Sequence, residues 1–208
     1  MAVTVKELQL LIKNMCEIII ENEQYFCELD SAAGDGDFGM SLAKGFREVQ
    51  KREDSISTDS MQTYLRECGM IITEFCGGAS GPIWGTAFRS AAMATKDKAE
   101  LSVSDAADVL LAAIAGIQKR GGAKRGDKTL LDALIPAADT VQECAGQGLS
   151  MREAFVKAGI SAKEGAEETK NYSATKGRAS YVGDRSVSYP DAGAVAISVI
   201  IEELIRRI

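Results

Sequence analysis

The 208-residue chain has no histidine. That absence excludes a serine–histidine triad, a histidine-liganded metal and a phosphohistidine carrier. No apolar run reaches the length of a membrane span, and the N-terminus lacks the apolar core of a signal peptide. A basic surplus is missing too: 24 Lys and Arg stand against 30 Asp and Glu, which argues against a nucleic-acid partner. Five cysteines, Cys16, Cys27, Cys68, Cys76 and Cys144, are odd in number and never form a CxxC pair. They predict neither a zinc site nor a disulfide framework, and read as buried thiols of a reducing cytoplasm. Strand-like alternation is scarce.

What remains is helical periodicity with start and stop signals, over a length that suits one domain of residues 1–208. Thr4 to Glu7 has the capping-box pattern and opens a first helix with Leu8, Leu11, Ile12, Met15, Ile18 and Ile19 on its apolar side. Further helices are predicted from about Gly39 to Arg52, Asp59 to Cys76, and near Pro82 to Thr95. Ser102 starts a fifth, stopped by Gly121 and Gly122; Asp127 caps a sixth that Pro136 should kink. Ser150 to Glu153 opens a seventh, a long polar loop runs from about Ser173 to Tyr189, and Asp191 caps the last. The expected fold is all-α, an eight-helix up-and-down bundle. In that arrangement the glycine-bearing loops at 34–39, 77–81, 121–128 and 176–193 share one rim.

The richest of these loops holds Asp30, Asp35 and Asp37, with Gly34, Gly36 and Gly39 among them. On a helix, aspartates two apart would splay; in an open glycine-bearing turn they can face one point. Three uncompensated carboxylates call for a hard cation, magnesium or calcium rather than zinc. The amides of Phe38 to Ser41 then open a helix, a ready anion site. The plain alternative is a solvated turn, since Asp and Gly are common turn residues. An EF-hand fails on spacing: counted from Asp35, its glycine position is Met40 and its terminal glutamate position is Phe46.

The other loops are weaker alone. Gly77 to Pro82 lets a backbone approach a ligand but is no Walker loop, because no Gly-Lys-Ser/Thr follows. Trp84 and Phe88 read as core. Gly126-Asp127-Lys128-Thr129 can be merely an N-cap with its neighbours. Arg178, in Gly177 to Tyr181, offers a planar fork suited to phosphate, or is a solvated surface arginine.

Taken in order, Gly34 to Asp37 with Gly39, Gly77 to Pro82, Gly126 to Thr129, Gly177 to Tyr181, and Asp191 with Gly193 resemble the nucleotide-binding L subunits of dihydroxyacetone kinases, over essentially the whole chain. The resemblance implies an eight-helix antiparallel barrel holding ADP or ATP at one rim through two magnesium ions. It implies Asp30, Asp35 and Asp37 as metal ligands. Phe38, Gly39, Met40, Ser41, Ala79, Ser80, Gly121, Leu130, Arg178, Asp191, Ala192 and Gly193 would line the nucleotide, with Arg178 offsetting charge on its terminal phosphate. It also implies a partner K subunit whose histidine holds the ketose covalently, a role that a histidine-free chain leaves to another protein.

Many relatives that work with the phosphoenolpyruvate phosphotransferase system carry histidine where this chain has Phe38. The donor is therefore open, between ADP rephosphorylated in place by a phosphohistidine protein and exchanging ATP. Two further alternatives stand beside dihydroxyacetone or a related small ketose as the acceptor. One is a nucleotide module for another acceptor, a four-carbon ketose or a fatty acid on a carrier protein. The other is a non-enzymatic helical scaffold whose aspartate loop binds calcium. The ketose and the oligomeric state, a homodimer included, are not fixed by the sequence.

Overall fold

A computed structural model describes residues 2–207. Thr4 and Glu7 form the expected box: the Thr4 hydroxyl accepts from the Glu7 amide, and the Glu7 carboxylate accepts from the Thr4 amide at 2.6 Å. Helix α1 (Val5–Glu21) follows, burying Leu8, Ile12, Cys16, Ile18 and Ile19. It stops at Asn22, whose side-chain amide donates to the Ile18 carbonyl at 2.8 Å and competes with helix continuation. The chain resumes as α2 (Glu23–Ser31), so two helices occupy the stretch ahead of the aspartate loop. Then come α3 (Phe38–Lys51), α4 (Met61–Phe75), α5 (Ser80–Ala94), α6 (Val103–Gly121), α7 (Leu131–Gly146), α8 (Met151–Glu168) and α9 (Ala192–Arg207). The described residues thus form nine α-helices rather than eight. Among the described residues the one departure from all-α is a pair of two-residue antiparallel strands, β1 (Val3–Thr4) and β2 (Glu100–Leu101).

From α3 to α9 each helix packs on the next, and α1 and α2 both touch α3 and α9. They close the ring together, so it has eight staves with α1 and α2 sharing one. Arg207 secures the seam through ion pairs to Glu17 and Glu21. Large side chains fill the α3–α5 side, where Phe46 meets Trp84 edge-on at 5.9 Å and Phe88 at 6.0 Å. On the other side the contacts are small: Ala133, Ala137, Ala154, Ala158, Ala162 and Ala194 are fully buried, which lets α7, α8 and α9 approach closely.

The helix starts divide into two kinds. At the starts of α4, α6 and α8, the hydroxyls of Ser60, Ser102 and Ser150 accept from the third backbone amide. The N-caps of α3, α5 and α7 are Asp37, Ala79 and Leu130, and none makes a side-chain capping bond. Asp127 therefore does not cap α7 as expected. Its carboxylate instead accepts from the Lys124 amide at 2.9 Å and the Thr175 hydroxyl at 2.8 Å, and the helix begins four residues later.

One cap supplies a pH test. The Lys98 ammonium, with the hydroxyl and amide of Ser102, pushes the Asp105 carboxyl down to about 2. A depressed carboxyl stabilises the fold above its ordinary pKa and loses that contribution as pH falls through the folded value. Asp105→Asn is expected to cost about 1 kcal/mol at pH 7. The gap from the parent should close between about pH 4 and pH 2, read from urea midpoints at stepped pH.

Candidate metal and nucleotide site

Four connections converge on one cleft of about 250 Å³: the segments 33–37, 77–79, 128–130 and 176–191. The three uncapped starts, of α3, α5 and α7, open onto it, through Phe38, Ser80 and Leu130 in its wall. The positive ends of three helices therefore meet there, although the first amides of α7 are already engaged, Leu131 by the Thr129 hydroxyl and Asp132 and Ala133 by the carbonyls of Thr129 and Leu130.

The aspartate loop is shaped by its glycines. Asp30, one residue from the end of α2, accepts from the Gly36 amide at 2.9 Å. Any side chain at Gly34 would strike it, since a Cβ there would lie 2.2 Å from Asp30 Oδ1. Gly36 takes φ +75°, a left-handed conformation that glycine adopts without strain. The outcome is that carboxylate oxygens of Asp30, Asp35 and Asp37 all lie within 4.8 Å of one another. Burial raises the Asp30 carboxyl above its ordinary value; Asp35 adds to this, against the lowering by the amides of Gly36, Phe38 and Asp37. Arg178 reaches across to Asp35 at 2.5 Å. Three hard oxygen donors with no nitrogen or sulfur among them suit a magnesium-type cation.

Behind the wall formed by Lys128, Thr129 and Leu130 lies a polar network. The Asp132 carboxylate accepts from the amides of Gly126 (2.5 Å) and Thr129 (2.7 Å) and from the Tyr172 hydroxyl (3.0 Å). Asp191 caps α9 as expected, accepting from the Ala194 amide at 2.7 Å, while its own amide donates to Thr169 Oγ1 at 2.8 Å. Burial pushes the Asp191 carboxyl up to about 7, with Asp132 and Asp30 adding to the rise against the Ala194 amide and the Lys128 ammonium. The polar loop is not wholly irregular, for residues 178–186 form a 3-10 segment interrupted at Gly183.

Of the residues singled out from the sequence, the cleft wall contains Asp30, Asp35, Asp37, Phe38, Ser41, Ala79, Ser80, Leu130, Arg178, Asp191, Ala192 and Gly193. Gly39, Met40 and Gly121 lie outside it. Gly39 is pressed beneath α2, where a Cβ would meet the Glu23 carbonyl, and the Met40 side chain is exposed. Gly121 ends α6 beside Ile83. The wall also contains Lys128, Thr129 and Lys176, to which the sequence assigned no role. Membership of Lys128 in a glycine-aspartate motif was the only signal for it.

Residues 32–206 match a family of protein domains described as the DAK2 domain. The chain belongs to that family. It is 32% identical over 188 residues to the Escherichia coli "PEP-dependent dihydroxyacetone kinase, ADP-binding subunit DhaL", spanning 90% of each. It is 35% identical over 205 residues to the mouse "Triokinase/FMN cyclase", covering 98% of this chain but 35% of that one. The fold resembles that of the C. freundii dihydroxyacetone kinase solved with AMP-PNP and Mg2+ (TM-score 0.76, 24% identity), over 96% of this chain and 33% of the other. No helix among the described residues is long and apolar enough to cross a membrane.

Proposed function

We propose that the chain is the nucleotide-binding subunit of a dihydroxyacetone-type kinase, holding ADP or ATP in the cleft with magnesium on Asp30, Asp35 and Asp37. The observation that carries this is a cluster of three carboxylates beside three uncapped helix starts. A bare cation site would not need the anion-binding amides, and a bare phosphate site would repel its ligand with the carboxylates. Only a ligand that is both metal-bound and polyanionic uses the two together.

Magnesium, when bound, draws charge off the phosphoryl oxygens as they transfer, and two ions suit a site carrying three carboxylates beside a polyphosphate. The chain's own groups do the rest. The Gly36 amide orients Asp30, the amides opening α3 and α5 present donors to phosphate, and Arg178 stands at the same point with a planar fork for a terminal phosphoryl group. Phe38, packed on Phe26 at 6.2 Å, lines the cleft where histidine would offer a polar edge. With no histidine of its own, the chain needs a second subunit to hold a ketose covalently. The E. coli relative, matched along nine-tenths of both chains and named PEP-dependent, supports ADP as a resident coenzyme recharged by a phosphoprotein. The mouse relative, whose name carries no PEP dependence, leaves exchanging ATP as the second reading.

Native mass spectrometry of the purified chain tests the proposal. The expected result is retained ADP with two magnesium ions. Uptake of calcium without nucleotide would overturn it in favour of a metal-binding scaffold.

A further inference from the structure

Lys128 is 2% exposed, and its backbone takes φ +60°, a conformation that β-carbon-bearing residues rarely adopt. A buried ammonium is costly unless its protons are satisfied. Here it is met by carbonyl oxygens alone: those of Thr169 (2.5 Å), Tyr172 (3.0 Å), Ser186 (2.8 Å) and Tyr189 (2.8 Å). Three N–H protons are thus shared among four acceptors. These carbonyls come from both ends of the segment joining α8 to α9, so one charge gathers backbone positions up to twenty residues apart.

We infer that Lys128 is a positioning residue: its ammonium pins the 169–191 segment and so fixes where Arg178 and Asp191 stand in the cleft. Arg178 lies in the span whose two flanks, at Tyr172 and Ser186, are tied to Nζ. Asp191 follows the Tyr189 tie by two residues, and its amide bonds Thr169, itself on the ammonium. Two neighbours of Lys128 lend lesser ties, Asp127 to Thr175 and Asp132 to Tyr172. The strained backbone at Lys128 turns its side chain into the segment, and the cost is offset by four charge-assisted bonds. The inference rests on the nucleotide function proposed above for what the cleft holds, while the pin itself is readable without nucleotide.

Hydrogen–deuterium exchange on Lys128→Met, which keeps chain length and removes the charge, is the test. Amides of residues 172–189 are expected to exchange at least tenfold faster than in the parent, with those of α4 and α5 unchanged. In the same variant the dissociation constant for ADP with magnesium should rise at least tenfold. Unchanged exchange in 172–189 would overturn the inference, as would faster exchange with unaltered ADP affinity. A lysine that merely stabilises the fold would lower the unfolding midpoint and leave the folded protein's ADP affinity alone. A second arm stands even if Lys128→Met does not fold. Thr175→Val cuts the side-chain tie to Asp127 and keeps the ammonium, so exchange at 186–189 should stay within threefold of the parent; a tenfold rise there would overturn the pin. A parent that binds no ADP would sink the proposed function and leave the exchange arms to decide the pin.

Discussion

Replacing Asp35 and Asp37 together by asparagine is expected to abolish retention of magnesium and nucleotide while helical circular dichroism stays at the parent level. The three carboxylates cluster within 4.8 Å, and the double change leaves only Asp30. Asp30 is half-buried, its carboxyl already raised, and one of its oxygens is engaged by the Gly36 amide. A single such ligand cannot hold a divalent ion against water, and the polyphosphate loses its bridge to the protein. The affinity for ADP with magnesium should fall at least a hundredfold, or about 2.7 kcal/mol, by titration calorimetry. The fold should not suffer, because neither carboxylate caps or joins a helix: α3 has no side-chain cap although Asp37 is its N-cap residue. Asp35 does lose its ion pair with Arg178, but both partners are substantially exposed, and such pairs contribute little. Removing two like charges from one turn also relieves repulsion. Unchanged nucleotide binding in this variant would refute the metal assignment.

The second large effect lies beneath the wall formed by Lys128, Thr129 and Leu130. Pro136 has no amide to donate to the Asp132 carbonyl one turn earlier, and Gly165 of α8 packs against that carbonyl. A Cβ at Gly165 would sit 2.1 Å from the Asp132 oxygen and 3.0 Å from the Pro136 ring. The obstacle is backbone, not a flexible side chain, so α8 must back away from α7 along a seam of fully buried alanines. Gly165→Ala should cost about 3 kcal/mol, the upper range of overpacking, despite the helix propensity gained. In a chain of this size that lowers the melting temperature by about 6–12 °C by calorimetry. A variant as stable as the parent would show that α7 and α8 can separate freely, against the close packing described.

Much of this architecture was legible because its signals are local. The boxes at Thr4, Ser102 and Ser150 each use residues three apart, so a short window of sequence contains the whole interaction. The Asp-Gly loop was legible for the same reason. What escaped depends on partners far along the chain. Asp127 has the composition of a helix cap, but Thr175, 48 residues on, takes its carboxylate. Lys128 is only one member of a glycine-aspartate motif until four distant carbonyls surround it. Asn22 is an intermediate case: its bond to Ile18 is local, yet asparagine inside an apolar helical pattern gives only a weak reason to break it. Gly39 and Gly121 sit beside the cleft in sequence but are used for helix packing, a distinction that only the path of the backbone makes.

The alternation of bare and serine-capped helix starts also gives the molecule a handle. Because α3, α5 and α7 begin at the cleft, they end at the face where Ser60, Ser102 and Ser150 seal the returning helices. The turn between α7 and α8 is the shortest of these reversals, with Gln147 and Gly148 exposed and Gly148 at φ +71°. Foreign sequence grafted there, whether a fluorescent reporter or a tether to a bead, would project from the sealed face. An immobilised molecule would then present an open mouth to solution, oriented for any second protein that must reach the cleft.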